Sequence, residues 1–306
     1  MDNALRQTAV VKETVWGTIP TAPAWKICRE TRADGVGING RSRSPERTPH
    51  RMAAAMVQEN MRFEVSAEFA WARDSALDIW LEGLLCNAWA TNQLKNASTI
   101  QPFAMEIKHV GATNVYRRFP GILVNTAQFA WRIGGPGTVS FTGYAKDHTT
   151  GTTAIASSTY ASPTPGFDPV SSPAVLINNL CGVTSPIATA FNMTVTNSID
   201  LEYGFGSDKP QQMPLGQFDV SGSFSFYLKA LADYDAFKTF ASGQVIDFTI
   251  GSVANNKDQL QLPNLDVWNP AVPDKASRGS DEVTVNFMGK YYATDANAMK
   301  LIRNVA

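Results

Sequence analysis

Two stretches of the chain alternate strictly between apolar and polar side chains, and they carry nearly the same pattern. Residues 63–71 read FEVSAEFAW, and residues 218–226 read FDVSGSFSF. A period of two residues places alternate side chains on opposite faces of an extended chain, so each stretch predicts a β-strand with one buried face. The matching patterns also indicate that the chain contains two related β-rich halves.

Two further segments are repeated in the same order along the chain. Residues 139–145 (VSFTGYA) are echoed by residues 285–293 (VNFMGKYYA), and residues 119–123 (FPGIL) more loosely by residues 262–265 (LPNL). The distance between copies is far longer than the periods of roughly 20–50 residues found in solenoid proteins. The repeat therefore predicts two diverged copies of one β domain, with loops of different length.

A helical pattern follows each copy of the alternating strand. Apolar residues recur there at intervals of three and four, which predicts one short amphipathic helix in each half: Leu77, Trp80, Leu81, Leu84 and Leu85 in the first, and Leu231, Tyr234, Phe237 and Phe240 in the second. Further strands are predicted at residues 102–110, 119–133, 138–145, 193–203, 245–250, 264–268 and 283–293. The predicted fold class is mainly β, with a short flanking helix in each of two tandem related domains.

Composition divides the rest of the chain. The first residues contain Pro20 and Pro23 and show little periodicity, which predicts an extended arm rather than a core element. A segment rich in Ser, Thr and Pro separates the two copies and predicts a connector or a surface excursion. The predicted organisation is an N-terminal arm at 1–26, a first β domain at 27–150, a connector at 151–185 and a second β domain at 186–306.

Residues 29–51 combine six arginines with several glycines and predict a loop with strong contact potential. One interpretation is contact with nucleic acid or an acidic partner. The other is a solvated or subunit-facing loop whose arginines pair with Glu30, Asp34 and Glu46. The mixture with acids and the lack of interleaved aromatic residues favour the second interpretation.

Charge and cysteine content exclude several classes of protein. The 306 residues carry a formal net charge of −1, which excludes a generally basic nucleic-acid binder. The three cysteines, Cys28, Cys86 and Cys181, are far apart and odd in number, so we expect buried, reduced thiols. The sequence begins without the pattern of a secretory signal, and its most apolar segment, residues 77–90, is interrupted by polar residues. We therefore expect no membrane span and a protein that is soluble when made.

A search for chemistry finds no catalytic signature. The histidines His50, His109 and His148 form no metal-ligand pattern, and the glycine-rich residues 133–137 lack the lysine of a phosphate-binding loop. Neighbouring acids such as Asp233 and Asp235 are common, but a glycosidase pair is defined by its separation in space. We predict no catalytic residues, no cofactor and no metal, and hence no enzyme.

The two alternating strands instead present a polar face. Opposite their apolar side chains lie small polar and acidic residues, namely Glu64, Ser66 and Glu68 in the first copy and Asp219, Ser221, Ser223 and Ser225 in the second. An ordinary solvated sheet face accounts for this pattern. The functional interpretation is the wall of a water-filled channel along which a polyanion slides, because acids and hydroxyls do not bind phosphate as Lys and Arg do.

Three segments carry a resemblance to a known family. They are residues 13–20 (ETVWGTIP), 193–228 (MTVTNSIDLEYGFGSDKPQQMPLGQFDVSGSFSFYL) and 283–294 (VTVNFMGKYYAT). With these segments the chain resembles, over nearly its whole length, the major tail tube proteins of bacteriophages with long, non-contractile tails, the siphophage type. The segments encode an arm, a polar turn and amphipathic strands rather than a reaction.

The resemblance implies β-sandwich domains whose sheets join edge to edge into a continuous barrel on assembly. Stacked rings would form a hollow tail that conducts DNA to the host without binding it specifically. The seven polar-face residues would then line the lumen. Other tail components, namely the tape measure, tail terminator and distal tail proteins, would be partners. By the same analogy, inter-ring contacts would come from the arm and the arginine-rich loop, through Trp16, Arg29, Arg32, Arg41, Arg43, Arg47 and Arg51.

The repeat sharpens this expectation. If a ring contains six domain equivalents, a chain with two copies closes it as a trimer with pseudo-sixfold symmetry. A true hexamer, in which the first half is a divergent insertion, is the alternative. The expected location is the virion tail, after synthesis and assembly in the host cytoplasm. The alternative function is a β-sandwich glycan-binding or tail-fibre or baseplate module.

Overall fold

We analysed a computed structural model of the chain. The structure describes residues 6–46, 49, 52, 55–163, 174–183, 185–229, 231–238, 240–272 and 281–305. Two of the predicted contact residues, Arg47 and Arg51, lie outside the described residues.

The described chain is mainly β, as predicted, with one short helix in each half. The first half contains β1 (Arg6–Lys12), β2 (Ala24–Ile27), β3 (Glu30–Arg43), β4 (Met56–Ala70), α1 (Ser75–Leu85), β5 (Gln93–Lys95), β6 (Phe103–His109), β7 (Val115–Arg132), β8 (Thr138–Ala145) and β9 (Thr149–Gly151). The second contains β10 (Thr159–Ala161), β11 (Val175–Leu180), β12 (Ala188–Thr196), β13 (Asp219–Tyr227), α2 (Leu231–Lys238), β14 (Ala241–Ile250), β15 (Lys257–Ala271), β16 (Glu282–Gly289) and β17 (Lys300–Val305).

Each half is built around one long strand that belongs to two sheet layers. In the first half, the beginning of β7 lies in the order β9–β7–β6–β1–β2–β10, and its end lies in the order β3–β4–β8–β7. In the second half, the beginning of β15 lies between β14 and β17, and its end lies in the order β12–β13–β16–β15. The two halves therefore share one strand topology.

The repeated sequence blocks also pair in the same register. Phe69 of β4 lies opposite Val139 of β8, and their repeat counterparts Phe224 of β13 and Val285 of β16 lie opposite each other. The blocks FPGIL and LPNL mark where each long strand changes layer, because β7 leaves β6 for β8 there and β15 begins to pair with β16.

The apolar faces of both layers and the helices form the core. The indole of α1 Trp80 is fully buried, with its ring centroid 4.8 Å from that of Phe103 and 5.4 Å from that of Phe141. In the second half, Phe191 of β12 meets Phe248 of β14 edge to face at 4.8 Å. Cys28, Cys86 and Cys181 are buried free thiols, as predicted.

Two strand pairings and an ionic contact are among the contacts that join the halves. The end of β7 pairs with β12 from Thr126↔Thr196 to Arg132↔Ala190, a pairing that we call the internal seam. The C-terminal strand β17 pairs with β5 of the first half. Arg303 of β17 donates to Asp78 of α1, with 2.7 Å between Nη1 and Oδ2.

The expectation that residues 1–26 form only an arm is wrong. Strand β1 pairs along its whole length with β6, and Ala9, Val10 and Val11 are buried in the core. The apolar run in β1 is too short to show a hydrophobic period. The two prolines that suggested an arm, Pro20 and Pro23, lie in the segment between β1 and β2.

The prediction of an arginine-rich loop over residues 29–51 is also wrong for most of that segment, because residues 30–43 form β3. Glycines suggested a loop, but Gly35 and Gly37 lie in a strand beneath aromatic side chains. A Cβ at Gly35 would overlap the Phe119 ring at 2.4 Å, and one at Gly37 would be in tight contact with Phe63 at 3.3 Å. Large aromatic side chains therefore pack onto the backbone of β3, most closely at Gly35.

The remaining differences concern boundaries. The predicted connector, residues 151–185, contributes β10, which pairs with β2, and β11, which pairs with β14. Strand β12 ends at Thr196, so the predicted strand at 193–203 runs too far. Phe240 lies beyond the end of α2 and is exposed.

Candidate functional site

The candidate site is one face of the sheet that runs from β3 through β4, β8, β7, β12, β13 and β16. All seven residues predicted to line a lumen lie on this solvent-facing side, opposite the buried alternation of β4 and β13. We call it the polar face. The structure thus brings residues from two distant copies onto one surface.

Cross-strand register makes the polar face continuous across the two halves. Ser66 lies opposite Thr142, which lies opposite Thr126; this residue lies opposite Thr196, which lies opposite Asp219. Adjacent strands are about 4.8 Å apart. This row therefore crosses the internal seam without a break.

A second row runs parallel to the first. It passes from Glu68 through Ser140, Gln128 and Thr194 to Ser221. The side chains of both rows are hydroxyls, amides and carboxylates, without a lysine or an arginine. The middle of the polar face is therefore hydrophilic but offers no cation to a phosphate.

The acids of the polar face are held by neutral or exposed partners. The Nε of Arg62 lies 3.0 Å from Oε1 of Glu64, and both side chains are exposed. The amide of Gln217 donates to Asp219 at 3.0 Å. Such exposed contacts are weak, so the carboxylates keep their negative field toward solvent.

The predicted contact arginines are not one cluster. Arg32 lies on β3 opposite Glu68, so it shares the polar face at its edge, whereas we expected it in an inter-ring loop. Arg41 and Arg43 are exposed near the tip of the β3–β4 hairpin. Arg29 precedes β3, and its charge acts on Asp74 at the start of α1.

The β3–β4 hairpin projects from the sheet. Most residues of its outer part, 36–46 and 55–61, are exposed. Contacts from the second half hold its base: the Met61 N–H donates to the Asp208 carbonyl at 2.7 Å, and the Tyr203 hydroxyl donates to the Met61 carbonyl at 2.9 Å. The hairpin is therefore a fixed projection with an accessible end.

Trp16 lies apart from the arginines, in a turn docked on the bend of β7. Its indole N–H donates to the Gly121 carbonyl at 2.9 Å, and the Lys146 ammonium lies 4.3 Å from its ring centroid. The Glu13 carboxylate accepts the N–H groups of Gly17 at 2.7 Å and Gly121 at 3.0 Å. Burial raises the pKa of Glu13, while these donors and Lys146 lower it. The turn anchors the N-terminal segment within its own subunit.

Sequence reasoning predicted the central strands but did not assign their polar side chains to this face. Thr126 and Gln128 of β7, Ser140 and Thr142 of β8 and Thr194 of β12 belong to it with the seven predicted residues. The signal was present, because the segment TVSFTGYA alternates in the same way as the strands that were found.

The described residues offer little to a metal or to covalent chemistry. No group of three or more His, Cys, Asp or Glu side chains in this part of the chain could hold a metal ion. Burial raises the pKa of Cys86 to about 11 and that of Cys181 to about 12, which keeps both thiols protonated. No described helix is long and apolar enough to cross a membrane.

The described chain is thus a two-layer β protein with one continuous polar face and partly unpaired strand edges. Comparison with known families places it more narrowly: residues 3–290 match the family model of the phage tail tube protein. The chain belongs to this family. The family is structural and not enzymatic, which confirms the expectation of no enzyme, and membership implies a component of the virion. A search of curated proteins returned no match.

Proposed function

We propose that the protein polymerises into rings that stack into a hollow tail tube, and that the polar face lines the channel through which DNA reaches the host. The observation that carries this proposal is the continuity of the polar face across both halves. Among the described strands, β3 at one end of this sheet pairs with β4 alone, and the end of β15 next to β16 is covered only in part by β14. A sheet with open edges is a template for pairing with another copy.

The chemistry of the polar face supports the role of a lumen. Its two central rows consist of hydroxyl, amide and carboxylate side chains, so DNA phosphates meet no fixed cation there. A polyanion would therefore slide rather than bind. In the described part of β3, Arg32 is the cation nearest these rows. It lies opposite Glu68, which places a carboxylate next to it.

The shared topology of the halves supports a duplicated domain. One chain then supplies two ring positions, and the internal seam is one of the joints between positions. Three subunits then supply the six domain positions of a closed ring with pseudo-sixfold symmetry. Each subunit presents different surfaces to its two neighbours. This arrangement is favoured over a hexamer because the register of β4 with β8 is repeated by β13 with β16.

The projecting β3–β4 hairpin supports contacts between rings. Arg41 and Arg43 lie near its exposed end, and the base contacts at Met61 fix its direction. At the ends of the tube, the same surfaces would meet other tail proteins, including the tape measure, terminator and distal tail proteins. Assembly would take place in the host cytoplasm.

Cryo-electron microscopy of tubes formed by the protein tests the ring. We expect stacked hollow rings with three subunits and six similar wall segments. Rings with six subunits would keep the tube and overturn the duplication. A protein that stays monomeric at every concentration, in virions as well as in solution, contradicts the proposed function.

Reversing the charge of the polar face tests the lumen. We expect Glu68→Lys combined with Ser223→Lys to slow DNA ejection from assembled virions, because phosphates would bind the new ammonium groups. Ser252→Lys in the exposed β14–β15 turn is the control with added charge away from the face. Ejection at the normal rate from virions with both lysines would exclude a luminal polar face.

A further inference from the structure

The outer part of the β3–β4 hairpin contains a reactive pair of residues. Asn39 is followed by Gly40, and this is the single Asn-Gly sequence in the chain. The backbone nitrogen after an asparagine can attack the side-chain amide, and glycine obstructs this approach least because it has no Cβ. The side chain of Asn39 is exposed, and its amide makes no hydrogen bond among the described residues.

The strand ladder is irregular at the same point. The register of β3 with β4 shifts between Asn39 and Arg41. Two residues of β4, Glu59 and Asn60, there face Gly40 alone. A Cβ at Gly40 would lie 2.9 Å from the Glu59 Cβ and 3.2 Å from the Asn60 carbonyl oxygen, so a bulge of β4 lies against this glycine. Because the bulge interrupts the pairing of an exposed hairpin, local opening costs little free energy here.

Asn60 provides a comparison within the same hairpin. Its side chain is exposed as well, but the next residue is Met61, which packs against the core. The Met61 N–H donates to the Asp208 carbonyl at 2.7 Å. The nitrogen that would attack the Asn60 side chain is therefore held in a hydrogen bond to another segment of the chain.

Asn197 is protected in a different way. Its side chain is buried, and its amide donates to the carbonyls of Leu84 at 2.8 Å and Val124 at 2.9 Å. Attack on this amide would leave two buried carbonyls without their donor, which is costly. Of the three asparagines compared, Asn39 alone combines an exposed amide, a following glycine and an irregular ladder.

We propose that Asn39 and Gly40 form a site of spontaneous modification, at which the asparagine becomes aspartate or isoaspartate without an enzyme. The Gly40 nitrogen attacks Cγ of Asn39, the N–Cγ bond forms, the Cγ–Nδ2 bond breaks, and ammonia leaves with the proton of the Gly40 N–H. Water then hydrolyses the cyclic imide. Cleavage of the new N–Cγ bond gives aspartate, whereas cleavage of the original peptide bond gives isoaspartate.

The product changes the charge of the hairpin. Asn39, Arg41 and Arg43 share one face of β3, because alternate residues of a strand point the same way. A carboxylate at position 39 partly neutralises the two exposed guanidinium groups, and isoaspartate also inserts a methylene group into the main chain. The reaction itself is independent of assembly. Its consequence rests on the proposed contact between rings, since subunits modified before assembly should polymerise less well.

Peptide mapping by mass spectrometry tests the reaction in the folded, unassembled subunit. Trypsin cleaves after arginine and releases residues 33–41 and 52–62 as separate peptides. In mildly alkaline buffer, we expect the amide of Asn39 to be replaced by an acid at least several-fold faster than that of Asn60, with fragmentation of each peptide locating the change. Equal rates at the two positions, or no change at Asn39, overturn the proposal.

Asn39→Gln is the matched control. The longer side chain keeps the amide but closes a ring with the Gly40 nitrogen less readily, so peptide 33–41 should keep its mass. A gain of mass as fast as in the wild type would show direct hydrolysis by water and overturn the attack by Gly40.

Met61→Gly separates the effect of sequence from that of structure. It places a glycine after Asn60 while the backbone N–H at position 61 still has the Asp208 carbonyl as its acceptor. Asn60 should react more slowly than Asn39 in the folded variant and at a similar rate in urea. Equal rates in the folded variant overturn the role of the irregular ladder. If circular dichroism shows that the variant does not fold, the wild type decides, because urea should accelerate Asn60 more than Asn39.

Asn39→Asp tests the consequence for assembly. Compared with Asn39→Gln, it should polymerise several-fold more slowly, measured by light scattering of the purified subunit. Polymerisation at the rate of Asn39→Gln overturns the consequence and leaves the modification site in place. Failure of the unmodified protein to form tubes overturns the proposed function, and with it the consequence, but leaves the mass-spectrometric result intact.

Discussion

The two halves of the molecule share one topology, but their edges differ. The end of β7 in the first half is covered by β12, whereas the corresponding end of β15 is covered only in part, by its own hairpin partner β14. The strand β12 is covered on both sides, and its counterpart β3 on one. Among the described strands, the pairing between the halves is therefore complete on both sides of β12, whereas β3 and the end of β15 keep partly uncovered edges.

The helices provide a second difference between the halves. All but two residues of α1 are buried, Ser75 and Asp78 being partly exposed, while Phe237 is the buried residue among the described side chains of α2. Identical changes at repeat counterparts should therefore have unequal effects.

The largest effects should come from the paired core phenylalanines. Phe69 packs against Trp80 of α1 and Phe141, and Phe224 packs against Phe237 of α2 and Phe287. We expect Phe69→Ala to lower the free energy of unfolding by about 3–5 kcal/mol. Phe224→Ala should cost less, because the exposed helix α2 can move into the cavity.

Urea denaturation of the dilute, unassembled subunit measures both losses. Equal losses would show that α2 holds its position as firmly as α1, and a larger loss for Phe224→Ala would reverse the proposed difference between the halves.

The next largest effect should come from the ionic contact that joins the halves. Arg303 donates to Asp78 of α1, its Nε lies 3.7 Å from Asp258 Oδ1, and its guanidinium lies 3.9 Å from the Trp89 ring centroid. Arg303→Met leaves the largely buried Asp258 carboxylate with Arg73 at 4.0 Å. We expect a loss of about 3 kcal/mol.

The exposed pair of Arg62 and Glu64 offers a matched control. Arg62→Met should cost less than about 1 kcal/mol, because solvent screens this pair. Thermal unfolding followed by circular dichroism compares the two variants. Similar losses would mean that the Arg303 contact does not hold the halves together.

A moderate difference is expected at the glycine counterparts of β8 and β16. A Cβ at Gly143 would lie 2.4 Å from the Leu123 carbonyl oxygen, whereas one at Gly289 would lie 2.9 Å from the Val220 Cβ. Backbone yields less than a side chain, so Gly143→Ala should cost about 2–3 kcal/mol and Gly289→Ala about 1 kcal/mol. Urea midpoints in the reverse order would count against close packing at the bend of β7.

The elements that can be predicted from the sequence are those whose hydrophobic pattern extends over enough residues to show its period. Strict alternation identified β4 and β13, and it identified their polar residues because one face of each strand is buried. Strand β3 was not predicted because Gly35 and Gly37 are typical of loops. Their place in a strand follows only from the packing of Phe119 and Phe63 against them, which is a long-range contact. Pairing partners are long-range, so neither the internal seam nor the open edge of β3 could follow from local pattern.

The N-terminal turn shows the same limit. Residues 13–20 carry part of the family resemblance, but their structural role does not follow from it. The partner of Glu13 is Gly121, which is distant in the sequence and close only in the fold. The contact of Trp16 with another ring stays a prediction, while within the subunit its indole N–H donates to the Gly121 carbonyl.

The smallest effect should be a pH dependence specific to this turn in the first half. Burial raises the pKa of Glu13 above its ordinary 4.5. The native state therefore holds a proton longer than the unfolded state as pH rises, and stability falls as pH increases from 4.5 through the native pKa. Glu13→Gln, which cannot ionise, should remove part of this slope while Glu202→Gln, in the exposed second-half turn, should not. Urea denaturation from pH 4.5 to 8 measures the slopes, and identical slopes in the wild type and in Glu13→Gln would show that the two N–H donors and Lys146 fully offset burial at this carboxylate.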